Sequence, residues 1–373
     1  MKPYFVILSG AKGNSGDDLI RKAATALFER YRPDREVVRL DGWVQFDKEK
    51  LELVNGAQAL ILLGGPALRY DTFPNVYPLV PDLNDIKVPI VTLGIGYRDA
   101  DGDWSRTSRF ELSEKTKELL SRVETSGFGS GVRCYHTLNV LLANGYRKFT
   151  LSGCPAFYHL DHLHGNGREV AGVGNVAFAT GRMYLANPSL RLQQERIIIS
   201  LARYFKDRTF TVAFHDPVRM DHPAIRDLVR TLERENIAFR DISGAAENLE
   251  EFYNKQDLQI GYRVHAHIYM CSRDRPSVLL CEDGRGKGMR ATLGGLIFDA
   301  YETHALGTAR RIRNKLMTGS AGSKEIRALQ PLEQEVLLHL DHEMRLGFPR
   351  IAGIRPLINS YSREYIRLLQ QLP

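Results

Sequence analysis

Short apolar runs recur along the first half of the chain, at Tyr4–Ser9, Val37–Leu40, Ala59–Leu63, Pro89–Leu93 and Phe149–Ser152. Most are rich in Val, Ile and Leu and lack polar alternation, the pattern of strands buried on both faces. A further strand is predicted over Val123–Gly127, and Asp17–Tyr31 and Tyr135–Asn144 carry apolar residues at helical spacing. Strand and helix in alternation predict a parallel, doubly wound sheet. The pattern breaks at residues 164–174, HGNGREVAGVG, which reads as a linker. A second alternating series follows, with strands at Asn175–Thr180, Thr209–Phe214, Ile237–Phe239, Leu258–Gly261 and Ser277–Leu280. Its helices fall at Leu190–Phe205, Pro223–Glu235 and Val264–Cys271, and from about Thr308 the chain reads as wholly helical. The expected architecture is α/β: two Rossmann-like domains, residues 1–165 and 174–305, facing across a cleft, with a helical extension over 306–373.

A chain of 373 residues exceeds what one hydrophobic core usually organises, which agrees with two domains. Lys and Arg number 51 against 44 Asp and Glu, a formal charge of +7 scattered along the chain. That excess suits an anionic substrate or loose contact with an acidic membrane surface. Nucleic acid is not expected, because no dense basic run is interleaved with aromatics. Cys134, Cys154, Cys271 and Cys281 are too widely spaced for a disulfide framework or a zinc site and read as buried thiols of a cytoplasmic protein. No window has the roughly 18 apolar residues of a membrane span, and the run Tyr4–Leu8 is too short for a signal-peptide core.

Several strands end in glycine: Gly10, Gly64-Gly65 and Gly94-Ile-Gly96. Ligands of doubly wound sheets bind beyond such carboxyl ends. Four clusters sit there. Gly13-Asn-Ser-Gly-Asp-Asp18 opens a helix, so its free N–H groups suit an anion, and Ser15 or Asp17 is a candidate cap. Ser130–Thr137 places Arg133 at the start of another helix, where its fork can hold a carboxylate or phosphate. Gly261–His267 holds Arg263 and His265 two apart, on one face if the backbone is extended, while His267 reads as packing. Glu282–Gly288 reads as a flexible basic loop bearing Arg285 and Lys287, with Arg290 behind it. His215-Asp216-Pro217 ends another strand and is a lesser candidate for the same cleft. His159, Asp161, His162 and His164 lack metal-ligand spacing and read as solvated, so no metal is expected.

Taken in order, these motifs resemble those of the polysaccharide pyruvyl transferase family. They are Asn14-Ser-Gly-Asp17, Gly64-Gly-Pro66, Pro89-Ile-Val-Thr-Leu-Gly-Ile-Gly96, Gly131–Thr137 with Leu141 and Gly145, Cys154-Pro-Ala156, and Arg263-Val-His265. Two positions depart from the family's pattern, since Cys134 and Cys154 stand where it has Asp. The resemblance implies a fold like that of GT-B glycosyltransferases, phosphoenolpyruvate as donor substrate and no cofactor. It implies a saccharide acceptor, lipid-linked or polymeric, and a pyruvate ketal as product. The N-terminal domain would carry the acceptor together with Arg133, and the C-terminal domain the donor. On that reading Arg133, Arg263, Asn14, Gly16, Gly65, Arg285 and Lys287 bind substrate, His265 is the acid and Asp17 the base. A nucleotide-sugar-dependent glycosyltransferase and a non-catalytic binding protein of the same fold are the competing readings.

Overall fold

The computed structural model describes residues 2–10, 14–99, 102–166, 170, 172–305 and 324–373. Gly13, part of the expected linker at 167–169 and 171, and the start of the expected helical extension at 306–323 lie outside them.

The first sheet has the strands β1 (Tyr4–Ser9), β2 (Glu36–Asp41), β3 (Leu60–Leu63), β4 (Ile90–Ile95), β5 (Ser130–Val132) and β6 (Phe149–Leu151). All are parallel, in the order β2-β1-β3-β4-β5-β6. The second is built from β7 (Asn175–Ala179), β8 (Thr209–Phe214), β9 (Ala238–Asp241), β10 (Leu258–Gly261), β11 (Ser277–Cys281) and β12 (Leu296–Asp299). It is parallel too, in the order β12-β11-β10-β7-β8-β9. Helices α1 (Ser15–Tyr31), α2 (Lys48–Asn55), α3 (Trp104–Thr107), α4 (Glu114–Glu124) and α5 (Tyr135–Ala143) belong to the first half. The second half carries α6 (Pro188–Tyr204), α7 (Pro223–Arg234), α8 (Ala246–Tyr253), α9 (Val264–Ser272) and α10 (Gly284–Leu293). Strands β3, β4, β10 and β11 are buried at every residue, as sheets covered on both faces require.

Strand order places the site. In each sheet the order reverses once, between β1 and β3 in the first and between β7 and β10 in the second. At such a switch point the loops beyond the strand ends diverge and leave a crevice. The two crevices face each other. Asp18 accepts a hydrogen bond from the Ala246 N–H at 3.1 Å, Lys22 pairs with Glu250, and the Tyr135 N–H donates to Thr292 Oγ1 at 3.0 Å.

Three expectations are corrected. Val123–Gly127 is not a strand: Val123 lies in the last turn of helix α4, whose Leu119, Leu120 and Val123 share a buried face behind the Ser113 cap, and the strand begins at Ser130. Arg285 and Lys287 sit on a helix, α10, capped by Asp283, instead of a flexible loop. Its glycines serve close packing, since a Cβ on Gly286 would lie 2.5 Å from Cys281 Sγ, and one on Gly284 would lie 2.9 Å from the Asp99 carbonyl oxygen and 3.0 Å from the Gly102 Cα. The extension is not wholly helical either. Strand β14 (Lys324–Ala328) pairs antiparallel with β13 (Tyr301–Ala305), ahead of α11 (Leu332–Arg345), α12 (Pro349–Ala352) and α13 (Ile354–Gln371). Helix α13 starts on the second domain, where Arg355 donates to the Cys271 and Ser272 carbonyls at 3.0 and 3.1 Å. It ends on the first, where Arg32 Nη1 donates to the Leu369 and Leu372 carbonyls at 3.0 and 2.8 Å. Among the described residues no helix is long and apolar enough to cross a membrane.

Candidate active site

The facing crevices enclose a cavity of about 500 Å³. The first domain contributes Ser9 and Gly10 after β1, the start of α1 from Asn14 to Asp17, Gly64 and Gly65 after β3, and Arg69 and Arg98. The second contributes Arg182 after β7, His215 and Asp216 after β8, Tyr262 to His265 after β10, and Arg285 from α10. Asn14, Gly16, Asp17, Gly65, Arg263, His265 and Arg285, all expected from the sequence, thus line one cavity, and so does the lesser candidate His215-Asp216.

On the first side, Asn14 caps α1, its Oδ1 accepting from the Gly16 N–H at 3.0 Å. The expected caps were Ser15 or Asp17, but only Asn14 has the extended backbone that turns a side chain back onto the helix. Gly64 and Gly65 take positive φ, 49° and 71°, so the chain turns sharply after β3 where a side chain would be strained. A Cβ on Gly65 would stand 3.6 Å from Asp17 Oδ1.

On the second side the strand ends at Gly261, and Arg263 is the N-cap residue of α9 with His265 in its first turn. Their shared orientation therefore comes from a helix start facing the cavity, because the extended backbone ends at Arg263 and His265 is already helical. Arg263 is anchored by the Thr180 carbonyl, 2.9 Å from Nε, and by Asp216. The His265 imidazole reaches across to the first domain and packs on Gly16. Burial, then the charges of Arg133, Arg285 and Arg263, hold its pKa well below the ordinary histidine value. Its Nε2 has no hydrogen-bond partner among the described residues. His215 is depressed in the same way by burial, Arg263 and His265, and its Nε2 lies 2.8 Å from the Tyr253 hydroxyl.

Two expected ligands stand apart. Arg133 is 2 % exposed and lies behind the wall. A Cβ on Gly96 would come within 2.7 Å of its Nε, so that motif glycine makes room for the guanidinium. Cys154 stands beside it, where the family has Asp, and Arg133 forms no ion pair among the described residues. Lys287 is not brought to the cavity. Two residues along a helix turn the side chain by about 200°, so when Arg285 faces the cavity Lys287 faces away from it, buried over the Tyr301 ring and 2.9 Å from Asp103 Oδ1.

Sequence reasoning missed Arg69, Arg98 and Arg182. Each is isolated in sequence, and no motif marks them. None forms an ion pair among the described residues, whereas Arg285 is held by Asp283 at 2.7 Å. Burial, then Arg69 and Arg285, lower the pKa of Arg98, the mark of cations crowded round one space. His267 is fully buried, with Nδ1 2.8 Å from Ser277 Oγ, and packs as expected. No group of three or more His, Cys, Asp or Glu among the described residues could hold a metal ion.

The family model for polysaccharide pyruvyl transferase matches residues 14–269, which spans both walls of this cavity from Asn14 to the end of the Arg263–His265 motif. The chain belongs to the polysaccharide pyruvyl transferase family. It is a transferase on that ground. No curated protein matches the sequence. Among solved structures it resembles the S. aureus MnaA–UDP complex, with a TM-score of 0.54 at 10% identity over 100% of this chain and 99% of that one. It also resembles a Listeria monocytogenes protein assigned as a UDP-N-acetylglucosamine 2-epimerase, with a TM-score of 0.52 at 10% identity over 98% and 94% of the two chains. At that identity the likeness is one of fold: two doubly wound domains in the GT-B arrangement, closed by C-terminal helices.

Proposed function

We propose that this member of the family transfers the enolpyruvyl group of phosphoenolpyruvate to a pair of hydroxyls on a saccharide and releases phosphate. The observation that carries the reading is the cavity's charge. Arg69, Arg98 and Arg182 line it without ion-pair partners among the described residues, and Arg133 lies behind it in the same condition. Such a site is complete only when an anion of several charges enters. Phosphoenolpyruvate brings a carboxylate and a phosphate, and Arg263 and Arg285 are fixed by their own carboxylates in position to receive them.

In the proposed reaction, protonated His265 delivers a proton to the terminal enol carbon, which leaves an oxocarbenium-like centre at the carbon bearing the carboxylate. A sugar hydroxyl adds there and loses its proton to Asp17. Cleavage of the bond to phosphate regenerates the cation, the second hydroxyl closes the ring, and its proton leaves with the phosphate. The free site disfavours a charged His265, but the arriving anion offsets the neighbouring arginines and favours it. The substrate thereby loads its own acid.

The test is thermal stability of the wild type and Arg263→Ala with added phosphoenolpyruvate, because a ligand of the folded state raises the melting temperature. A rise of several degrees in the wild type that is absent in the variant is expected. No rise at millimolar phosphoenolpyruvate, with a clear rise for a UDP-sugar, would replace this reading with glycosyl transfer.

A further inference from the structure

Beside the cationic cavity lies a second one, of about 520 Å³. The two share Ser9, Gly10, Asn14, Asp17 and Trp43, so one opens into the other. Their walls differ in chemistry. The second carries carboxylates, Asp17, Asp18 and Asp41, with the indole of Trp43, and its Arg21 is paired with Asp18. Asp18 is also tied to the Ala246 N–H, but the exposed carboxylate of Asp41 has no partner among the described residues. Ser9 is 6 % exposed, lines both cavities, and its hydroxyl also lacks a partner among the described residues. Trp43, 37 % exposed, stands where the two cavities meet.

Each kind of occupant can be weighed against that wall. A phosphate or carboxylate would face like charge. A hydrocarbon would cover Asp41 and Ser9 without satisfying them. A neutral pyranose offers hydroxyls to both and a C–H face to the indole. We propose that the second cavity seats an uncharged sugar ring of the acceptor, stacked on Trp43 and held by Asp41 and Ser9. Its neighbouring hydroxyls are then presented past Asp17 to the cationic cavity. The inference takes the acceptor from the pyruvyl-transfer reading and adds to it the ring's charge class and the residues that select it.

Trp43 and Trp104 are the two tryptophans of the chain, so Trp104→Phe leaves Trp43 as the reporter. The probes are methyl glycosides of glucose, galactose and mannose, and the uronate of each. A saturable change in Trp43 emission with at least one neutral glycoside is expected, the matching uronate binding about tenfold more weakly or worse. Asp41→Asn should weaken the neutral ligand about tenfold and remove most of the penalty on the uronate. No response to any neutral glycoside up to about 0.1 M, or equal binding of sugar and uronate, overturns the inference. Melting with phosphoenolpyruvate on the same protein separates the two ideas. A donor response without glycoside binding sinks this subsite alone, whereas glycoside binding without a donor response leaves the subsite and sinks the donor.

Discussion

The imidazole of His265 rests on the Cα of Gly16: a methyl group built there would stand 1.8 Å from Nδ1. Gly16 belongs to the first turn of α1 in one domain and His265 to the first turn of α9 in the other. This contact brings the proposed acid against the helix start that carries Asp17. It needs a residue without a side chain.

Gly16→Ala therefore sets two effects against each other. Alanine favours the helix by up to about 1 kcal/mol, while displacing the ring or parting the domains costs roughly 1–3 kcal/mol. The cost is the larger, so the unliganded melting temperature should fall by up to several degrees. Affinity for phosphoenolpyruvate should fall about 10- to 100-fold, because an ångström of misplacement is that costly. Titration calorimetry checks it, and wild-type affinity would show that the close approach is not used.

Arg133 gives a test of opposite sign on stability. Its guanidinium is buried with no carboxylate partner among the described residues, so the fold bears the cost of desolvating it. Arg133→Met keeps most of the volume and removes the charge. We expect the unliganded protein to gain about 1 kcal/mol or more, seen as a higher melting temperature, while phosphoenolpyruvate binds at least about tenfold more weakly. A variant that melts several degrees lower would make Arg133 a structural residue instead.

The buried histidines fix a pH dependence. His265 and His215 are held well below the ordinary value by burial and by neighbouring arginines, and burial lowers His136 and His267 to about 4. In the unfolded chain each titrates near 6.5, so below that pH the unfolded state binds more protons. Their stability contribution is full above about pH 6.5 and is lost as pH falls towards 4. Melting temperatures should be flat from about pH 7 to 8 and fall steadily below 6.5. Binding at pH 7 should also draw a proton onto His265. Calorimetry in buffers of different ionisation enthalpy reads that uptake, and equal proton exchange in the wild type and His265→Gln would refute it.

The local pattern carried far. Short segments of β-branched, aromatic and aliphatic residues between helical patterns placed Thr209–Phe214 and Leu258–Gly261 to the residue. Glycines at strand ends marked the cavity floor, and the ordered motifs marked Asn14, Asp17, Arg263 and His265. The errors arose where a short segment suits two conformations. Val123 has strand propensity, but the buried spacing with Leu119 and Leu120 makes it helical. The glycines of residues 284–288 suggested flexibility, yet they are there because helix α10 meets Cys281 and Cys134 closely.

By itself, then, the sequence determined most of the strands, the two-domain alternation and the family, because buried parallel strands and strand-end glycines are local signals. Only the tertiary structure decided the site's composition. Strand order set the two switch points face to face, which gathered Arg69, Arg98 and Arg182 from unrelated loops. Helix phase turned Arg285 to the cavity and Lys287 away from it, and burial put Arg133 behind the wall. Charge and orientation of that kind depend on distances through space, which no spacing along the chain records.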